Sequence, residues 1–538
     1  MSKSNEHSAS DSFVKGAFIL GISGVFIKIL GAFFKIPLAD KLGPEGMSYF
    51  QSAYPIYNFF IVLATAGLPT ALGKIIAEQR ALGDYRNLDK TFKSGLVLMT
   101  SIGLMGTLIM FFGADKIVEI IKNPEAALAF KALAPAIVIV SVMAVFRGFF
   151  QGFQHMKPFA LSQIFEQLGR VIVGFALAVF LLDKGTKYAA AGATFGATTG
   201  AIAGLFVIFL LYKKFRKKHF EAHSKLMTGK AQETSEIMKR IAMIAVPITL
   251  GAAVMPLMST IDVMLVMNRL TDIGMGEQAN DLYGMLSGYA AVLVNLPQVI
   301  TSAIQISIVP AVAAFYVQKE VKSLSSTIQN GIRMTLIISL PATAGLVLLS
   351  QPIMELLYPS QLQYAQTTGQ ILSILGFGVI FLGMFQVTTG ILQGLSMQNR
   401  PAMNLMIGAI IKIILTYVLV GIPSINIYGA AISTLAAYGT ATTLNLITMK
   451  RSANITFDPK AVLLKPLYSV FVMSIVVLLG RQLALLFISP NLSTVFAIFI
   501  GMIAYFFMLF KTKTLTDEDY ALMPGGSKLK KISDRFFK

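Results

Sequence analysis

Cysteine is absent from the 538-residue chain, so disulfides, thiolate zinc sites and cysteine nucleophiles are excluded together. Also missing is any stretch between apolar runs longer than roughly 35 residues, too little for a soluble catalytic or nucleotide-hydrolysing domain. An ion gradient, the membrane potential or the substrate gradient is left as the energy source. The nearest approach to a phosphate loop, Gly67-Leu-Pro-Thr-Ala-Leu-Gly73-Lys74-Ile75, is one residue too long, lacks the Ser/Thr and lies in an apolar run. His219 and His223 flank Glu221 at helical spacing, but without a third ligand they read as part of a solvated basic loop. No large loop carries the paired acids of a glycosyltransferase or polymerase. The protein is therefore expected not to be an enzyme and to need no cofactor.

Acids are scarce: 26 Asp and Glu stand against 45 Lys and Arg, a net charge of +19. Such an excess would suit nucleic acid, yet it falls in alternate loops. Lys74, Arg80, Arg86, Lys90 and Lys93 follow the second apolar run, Lys213 to Arg240 follow the sixth, Lys450, Arg451 and Lys460 the twelfth, and Lys511 to Lys538 form a basic tail. The connections between them are neutral or acidic, as around Asp272, Glu277 and Asp281. This is the positive-inside pattern of a membrane protein with both termini cytoplasmic. Nucleic acid is not an expected partner.

What is abundant is apolar sequence. With 55% hydrophobic residues, 13% charged and a mean hydropathy of +0.70, the chain reads as an all-α, polytopic membrane protein. The first twelve residues are polar without a cleavage site, so no signal peptide is expected and the first span should be retained. Apolar runs of about 20 residues predict fourteen spans: 13–37, 49–75, 94–112, 128–150, 158–182, 188–212, 238–266, 283–314, 331–350, 366–392, 401–421, 428–449, 462–487 and 492–510.

The chain also repeats itself. Pro55 and Pro69 recur as Pro297 and Pro310, at shifts of 242 and 241; Leu88, Thr91, Gly95 and Glu119 recur as Leu324, Thr327, Gly331 and Glu355, at a shift of 236. Gln151-Gly152 returns as Gln393-Gly394, and Tyr188, Ala190, Ala191 and Thr194 as Tyr428, Ala430, Ala431 and Thr434. The ordered series predicts two parallel six-span lobes with a substrate path between them. The expected division is a cytoplasmic N-terminus (1–12), an N-lobe (13–212), a basic linker (213–237), a C-lobe (238–450), a helix pair (451–510) and a basic tail (511–538).

Ionisable residues inside apolar runs are the candidates for function, because a charge at mid-membrane costs about 2.5–3.5 kcal/mol on insertion scales. Lys28 and Lys35, seven apart in the first run, lie roughly 20° apart around a helix and form one cationic stripe. Glu166 and Arg170 are spaced i,i+4 with the acid first, favourable for mutual neutralisation as well as for a role in transport. Arg147 lies near a span end, where it could snorkel. Asp262 is the lone acid of the seventh run, with Pro247 and Pro256 to expose backbone carbonyls; cation binding, proton relay and pairing with Lys412 are all open to it. Gly192, Gly196, Gly200 and Gly204 form a small-residue stripe expected to serve close helix packing. The paired prolines suit either hinges or static kinks.

Lys28-Ile-Leu-Gly31, Lys35-Ile-Pro-Leu38, Leu42-Gly-Pro-Glu-Gly46, Phe50-Gln-Ser-Ala-Tyr-Pro-Ile-Tyr57 and Gly67-Leu-Pro69 together resemble the SpoVB-like polysaccharide-transport branch of the multidrug/oligosaccharidyl-lipid/polysaccharide (MOP) exporter superfamily, related to the MurJ-like lipid II flippases. The resemblance spans the whole chain. It implies a V-shaped cavity between lobes and a cargo of undecaprenyl-pyrophosphate-linked sugar, lipid II foremost, moved from the inner to the outer leaflet. Lys28 and Lys35 match cavity positions held by cations in MurJ-like proteins, as Lys without the bidentate fork of Arg. The family's cationic position in the second span is absent, since this chain reads Ala53-Tyr54-Pro55. The expected substrate-binding set is Lys28, Lys35, Gln51, Arg147, Glu166 and Arg170. Some relatives resemble a sodium site, which Asp262 and Asn404 could match for Na+ or H+, although Gly408 stands where a second acid would help. Expected partners are membrane lipids and cell-wall synthesis proteins. Another polysaccharide or teichoic-type precursor, a cationic drug, and a scaffolding role without transport are the alternatives.

Overall fold

A computed structural model describes residues 2–223, 232–453 and 458–516. The tail from Lys528 to Lys538, and the side chains of His219, Glu221 and His223, lie outside the described residues. Those described are mostly helical, with no strand among them, and divide into two compact units, Met1–Gly284 and Met285–Lys538. Twelve helices among the described residues are long and apolar enough to cross a membrane. One of these segments, Phe26–Ala81, takes in the second expected span and the latter part of the first, 26–37. The chain is an all-α, multi-pass membrane protein.

The first unit comprises α1 (Ser2–Thr65), α2 (Leu68–Ala81), α3 (Tyr85–Phe112), α4 (Ala114–Ile120), α5 (Ala127–Leu133), α6 (Pro135–Gly152), α7 (Met156–Leu181), α8 (Thr186–His223), α9 (Thr234–Asp272) and α10 (Ala279–Gly284). Two limbs of α1 meet at Gly43, whose φ of 70° and ψ of 173° break the helix. Only glycine takes up that conformation without strain, and the following Pro44 cannot donate a helical hydrogen bond. A second break, at Ala66-Gly67, separates α1 from α2. There α9 comes so close that a Cβ on Gly67 would strike the Ala245 carbonyl, and the Gly67 amide donates to Thr249 Oγ1 at 3.2 Å. Toward the other end of α2, Arg240 of α9 also pairs with Glu78. At its other end α9 is held by Lys122 and Asp272 (2.9 Å) and by Asn268, which donates to the Ile120 carbonyl at 2.9 Å. These contacts explain why the first unit takes in the seventh span.

Phe92, Phe146, Phe149 and Tyr212 join α3, α6 and α8 through ring contacts of 4.8–5.4 Å between centroids. Aromatic pairs at such distances add to the area they bury, so these rings tie the three helices together.

The second unit runs through α11 (Ala291–Asn295), α12 (Gln298–Gln318), α13 (Val321–Leu348), α14 (Ser350–Leu357), α15 (Ala365–Leu375), α16 (Gly378–Gly394), α17 (Asn399–Val420), α18 (Ile427–Ala453), α19 (Lys465–Ala484) and α20 (Pro490–Lys511). The expected twelfth span is α18, which is outside the twelve apolar helices. The final pair docks on α13: Tyr505 donates to the Ile337 carbonyl at 2.7 Å and the Arg333 guanidinium to Thr516 Oγ1 at 2.9 Å. Large apolar side chains such as Leu479, Phe499 and Phe506 remain exposed on this pair.

The repeated prolines do not repeat their roles. Pro55 lies inside α1 and Pro69 starts α2, whereas Pro297 caps α12 and Pro310 lies inside it. Each half thus has one proline at a break and one within a helix, in exchanged order. A proline interrupts a helix only where neighbours satisfy the freed backbone groups, so position in the repeat does not dictate conformation.

Candidate functional site

Ser162, Glu166 and Arg170 follow one another at four-residue spacing along α7 and lie on one face. What seats this face is the glycine stripe of α8. A Cβ on Gly200 would meet the Glu166 carbonyl and lie 2.7 Å from the Arg170 amide; one on Gly204 would come 2.8 Å from the Ser162 carbonyl and 3.0 Å from Glu166 Cβ. With no side chain between them, the two backbones approach closely enough to fix the height and rotation of the Glu166 and Arg170 side chains.

Arg147 of α6 completes the arrangement. Its Nη2 lies 2.9 Å from Glu166 Oε2, while Arg170 Nη2 lies 3.1 Å from Glu166 Oε1. The Arg147 Nε donates to Ser162 Oγ at 2.9 Å, that hydroxyl donates to the Phe159 carbonyl at 2.7 Å, and the guanidinium sits over the Phe159 ring. One carboxylate therefore bridges two guanidiniums, which leaves a net charge of +1. The three side chains are only 11%, 15% and 21% exposed for Arg147, Glu166 and Arg170. The buried Arg170 Nε has no hydrogen-bond partner, a donor left over for another acceptor.

This triad lines a cavity of about 520 Å³ walled by α1, α2, α6 and α7. Arg147, Arg170 and Glu166 are its charged lining residues; Gln151, Gln163 and Gln167 add amides, and Ile27, Pro69 and Val140 add apolar surface. The cavity presents hydrogen-bond donors and positive charge in a half-apolar setting, the chemistry of an anion site.

Three of the six expected substrate-binding residues, Arg147, Glu166 and Arg170, are thus brought together. Lys28 and Lys35 stand on the adjoining wall, outside the cavity lining: Lys28 is exposed and Lys35 half-buried. Gly31, between them on the same stripe, would place a Cβ 3.4 Å from Gln167 Nε2, so the stripe faces α7, and Lys35 is near enough to Arg170 for the two cations to interact. Gln51 is half-buried on the second limb of α1, also outside the lining. From that limb Tyr54 and Tyr57, in ring contact with each other at 5.9 Å, come within electrostatic range of Arg170. Ser162, Gln163 and Gln167 escaped sequence reasoning, although their spacing from Glu166 and Arg170 along one helix was a usable signal.

The two expected cation ligands fall in different units. Asp262 is half-buried on α9. Asn404 is buried on α17, where its amide donates to Asn445 Oδ1 at 2.8 Å and Asn445 in turn donates to Thr388 Oγ1 at 3.1 Å. Among the described residues no group of three or more His, Asp or Glu could hold a metal ion.

Comparison with known proteins places this geometry in a family. Residues 13–316 match the family model described as polysaccharide biosynthesis protein, and residues 247–418 match the MatE model. The chain is 28% identical to lipid II flippase MurJ of Bacillus subtilis over 463 residues, 83% of this chain and 84% of that one. It is also 28% identical to stage V sporulation protein B of the same organism over 458 residues, 84% of this chain and 86% of that one. In fold it is similar to a solved lipid II flippase MurJ in an inward closed conformation, with a TM-score of 0.70 at 18% identity, covering 91% of this chain and 98% of the other. The chain belongs to the polysaccharide biosynthesis protein family, within the MOP exporter superfamily of membrane transporters.

Proposed function

We propose that this protein is a flippase that carries an undecaprenyl-pyrophosphate-linked sugar, lipid II foremost, from the inner to the outer leaflet by alternating access, with both termini cytoplasmic. The observation that carries this reading is the cavity of the first unit, where two arginines oppose one acid. A diphosphate requires cationic partners in a site sheltered from bulk water, where charge-assisted hydrogen bonds are strong. Lys28 and Lys35 extend the positive surface along α1 and serve as the approach for the head group, while the polyprenyl tail stays in lipid. The 28% identity to a lipid II flippase supports the same cargo.

The test is depletion of the protein in cells, followed by an assay of lipid II exposed in the outer leaflet on complementation. Wild type should restore exposure. Lys28→Ala and Lys35→Ala should each lower it by roughly tenfold, the loss of one charge-assisted interaction. Normal exposure in both variants, at normal expression, would remove the lysine approach. Recovery of a teichoic-type precursor alone would shift the cargo, drug resistance alone would make the protein a multidrug exporter, and rescue by a transport-dead variant would make it a scaffold of cell-wall synthesis proteins.

Coupling is proposed to run through Asp262, an acid within the membrane-crossing α9, where an ionisable group without function is a cost. In proteoliposomes with an imposed Na+ or H+ gradient, Asp262→Asn should abolish the gradient's acceleration of flipping and leave the downhill rate within about twofold, the scale of a lost neutral contact. Unchanged acceleration would leave the membrane potential or the substrate gradient as the driving force.

A further inference from the structure

The bridged carboxylate has a meaning beyond pairing, which rests on the reading of the cavity as a diphosphate site. Glu166 is the acid of the cavity lining and both its oxygens are engaged, one by each arginine of that lining. A carboxylate and a phosphate present pairs of oxygens at similar separation, and guanidinium forks recognise both in the same geometry. The position that holds Glu166 between Arg147 and Arg170 is therefore one that a single phosphate could take. The main chain of Glu166 cannot retreat, because α8 is seated on its carbonyl and its Cβ; only its side-chain torsions can clear the position. Gln163 and Gln167 in the same lining offer amide donors to a displaced carboxylate.

We infer that Glu166 is an internal competitor for the anionic ligand: it occupies both guanidiniums in the empty cavity, gives them up to one phosphate of the diphosphate, and expels the ligand on its return. Two consequences follow. Without Glu166 the empty cavity would hold two uncompensated buried arginines, a state of lower stability. With it, a ligand must out-compete a tethered carboxylate. A monoanionic carboxylate gains nothing by the exchange, whereas a diphosphate brings a second negative charge and further acceptor oxygens on its neighbouring phosphate, and gains the spare Arg170 Nε as well. Glu166 thereby selects phosphates over carboxylates through the arrangement that rejects the weaker anion.

The experiment uses the purified full chain in lipid nanodiscs, with undecaprenyl diphosphate as probe and undecaprenol as uncharged control. Glu166→Gln should bind undecaprenyl diphosphate roughly tenfold more tightly than wild type, the result of removing a competing charge-assisted pair, and release it correspondingly more slowly. Glu166→Asp should stay near wild type, and undecaprenol should not distinguish the three. Equal or weaker diphosphate binding by Glu166→Gln, with wild type binding normally, would make the carboxylate structural and overturn the inference while leaving the diphosphate site intact. Absence of diphosphate binding by both proteins would remove the site and the inference together. A second measurement needs no variant: carbodiimide labelling of Glu166 in wild type, read by peptide mass spectrometry, should rise when undecaprenyl diphosphate saturates the site. Unchanged labelling at saturation would also overturn the inference.

Discussion

Replacing Arg147 and Arg170 together by alanine should abolish flipping and destabilise the protein by about 3–5 kcal/mol, the cost of leaving a buried charge without its partners. Either arginine alone leaves Glu166 paired with the other, at 2.9 or 3.1 Å, so single variants should lose less than half of that stability. The two losses can be separated. Adding Glu166→Ala to the double variant removes the orphaned carboxylate and should restore most of the thermal stability, because an apolar cavity wall is tolerated where an unpaired charge is not. Transport should remain at least a hundredfold below wild type, since two charge-assisted contacts of about 1.5–3 kcal/mol each are gone. Melting temperature in detergent and lipid II exposure in complemented cells are the two readouts. Recovery of transport in the triple variant would show that the cations hold the fold and do not touch the cargo.

The second large effect is expected at a residue that carries no charge itself. Gly200→Leu should prevent α8 from seating on α7, because a Cβ alone at this position already meets the Glu166 carbonyl and the Arg170 amide, the latter at 2.7 Å. Those are backbone atoms of a neighbouring helix, which cannot turn aside as a side chain can. Overpacking of this kind costs typically 1–3 kcal/mol and more when backbone must move. Activity should fall with it, because the displaced helix carries Glu166 and Arg170. Gly345→Leu is the matched control, since a Cβ there meets nothing within 4 Å, and its stability should stay within about 1 kcal/mol of wild type. Equal loss at both positions would point to general intolerance of bulk in membrane helices, and a silent Gly200→Leu would mean that the two helices can separate without harm to the site.

Both predictions turn on how local and distant information divide in this chain. Hydropathy alone identifies a helical membrane protein, because a backbone in lipid must satisfy its hydrogen bonds within its own segment, and the apolar runs at 158–182 and 188–212 correspond to α7 and α8. The Glu166-Arg170 pair was legible too, since four residues bring side chains together on any helix. The glycine stripe announced close packing but not its partner. That Gly200 and Gly204 back the one face bearing the ion pair follows only from the register of α7 against α8.

Sequence by itself determined the solvent of this protein, its helical class, and the residues whose charge needs an explanation. The tertiary structure decided how those charges are compensated. Arg147 reads as a residue near a span end, free to snorkel, until α6 folds against α7 and its guanidinium shares Glu166 with Arg170. Lys28 and Lys35, the strongest candidates on spacing, stand beside the cavity rather than in its lining. The physical reason is one of range: helical periodicity fixes which side chains share a face, but which face meets which depends on the shapes of two packed surfaces, and those exist only once the helices have met.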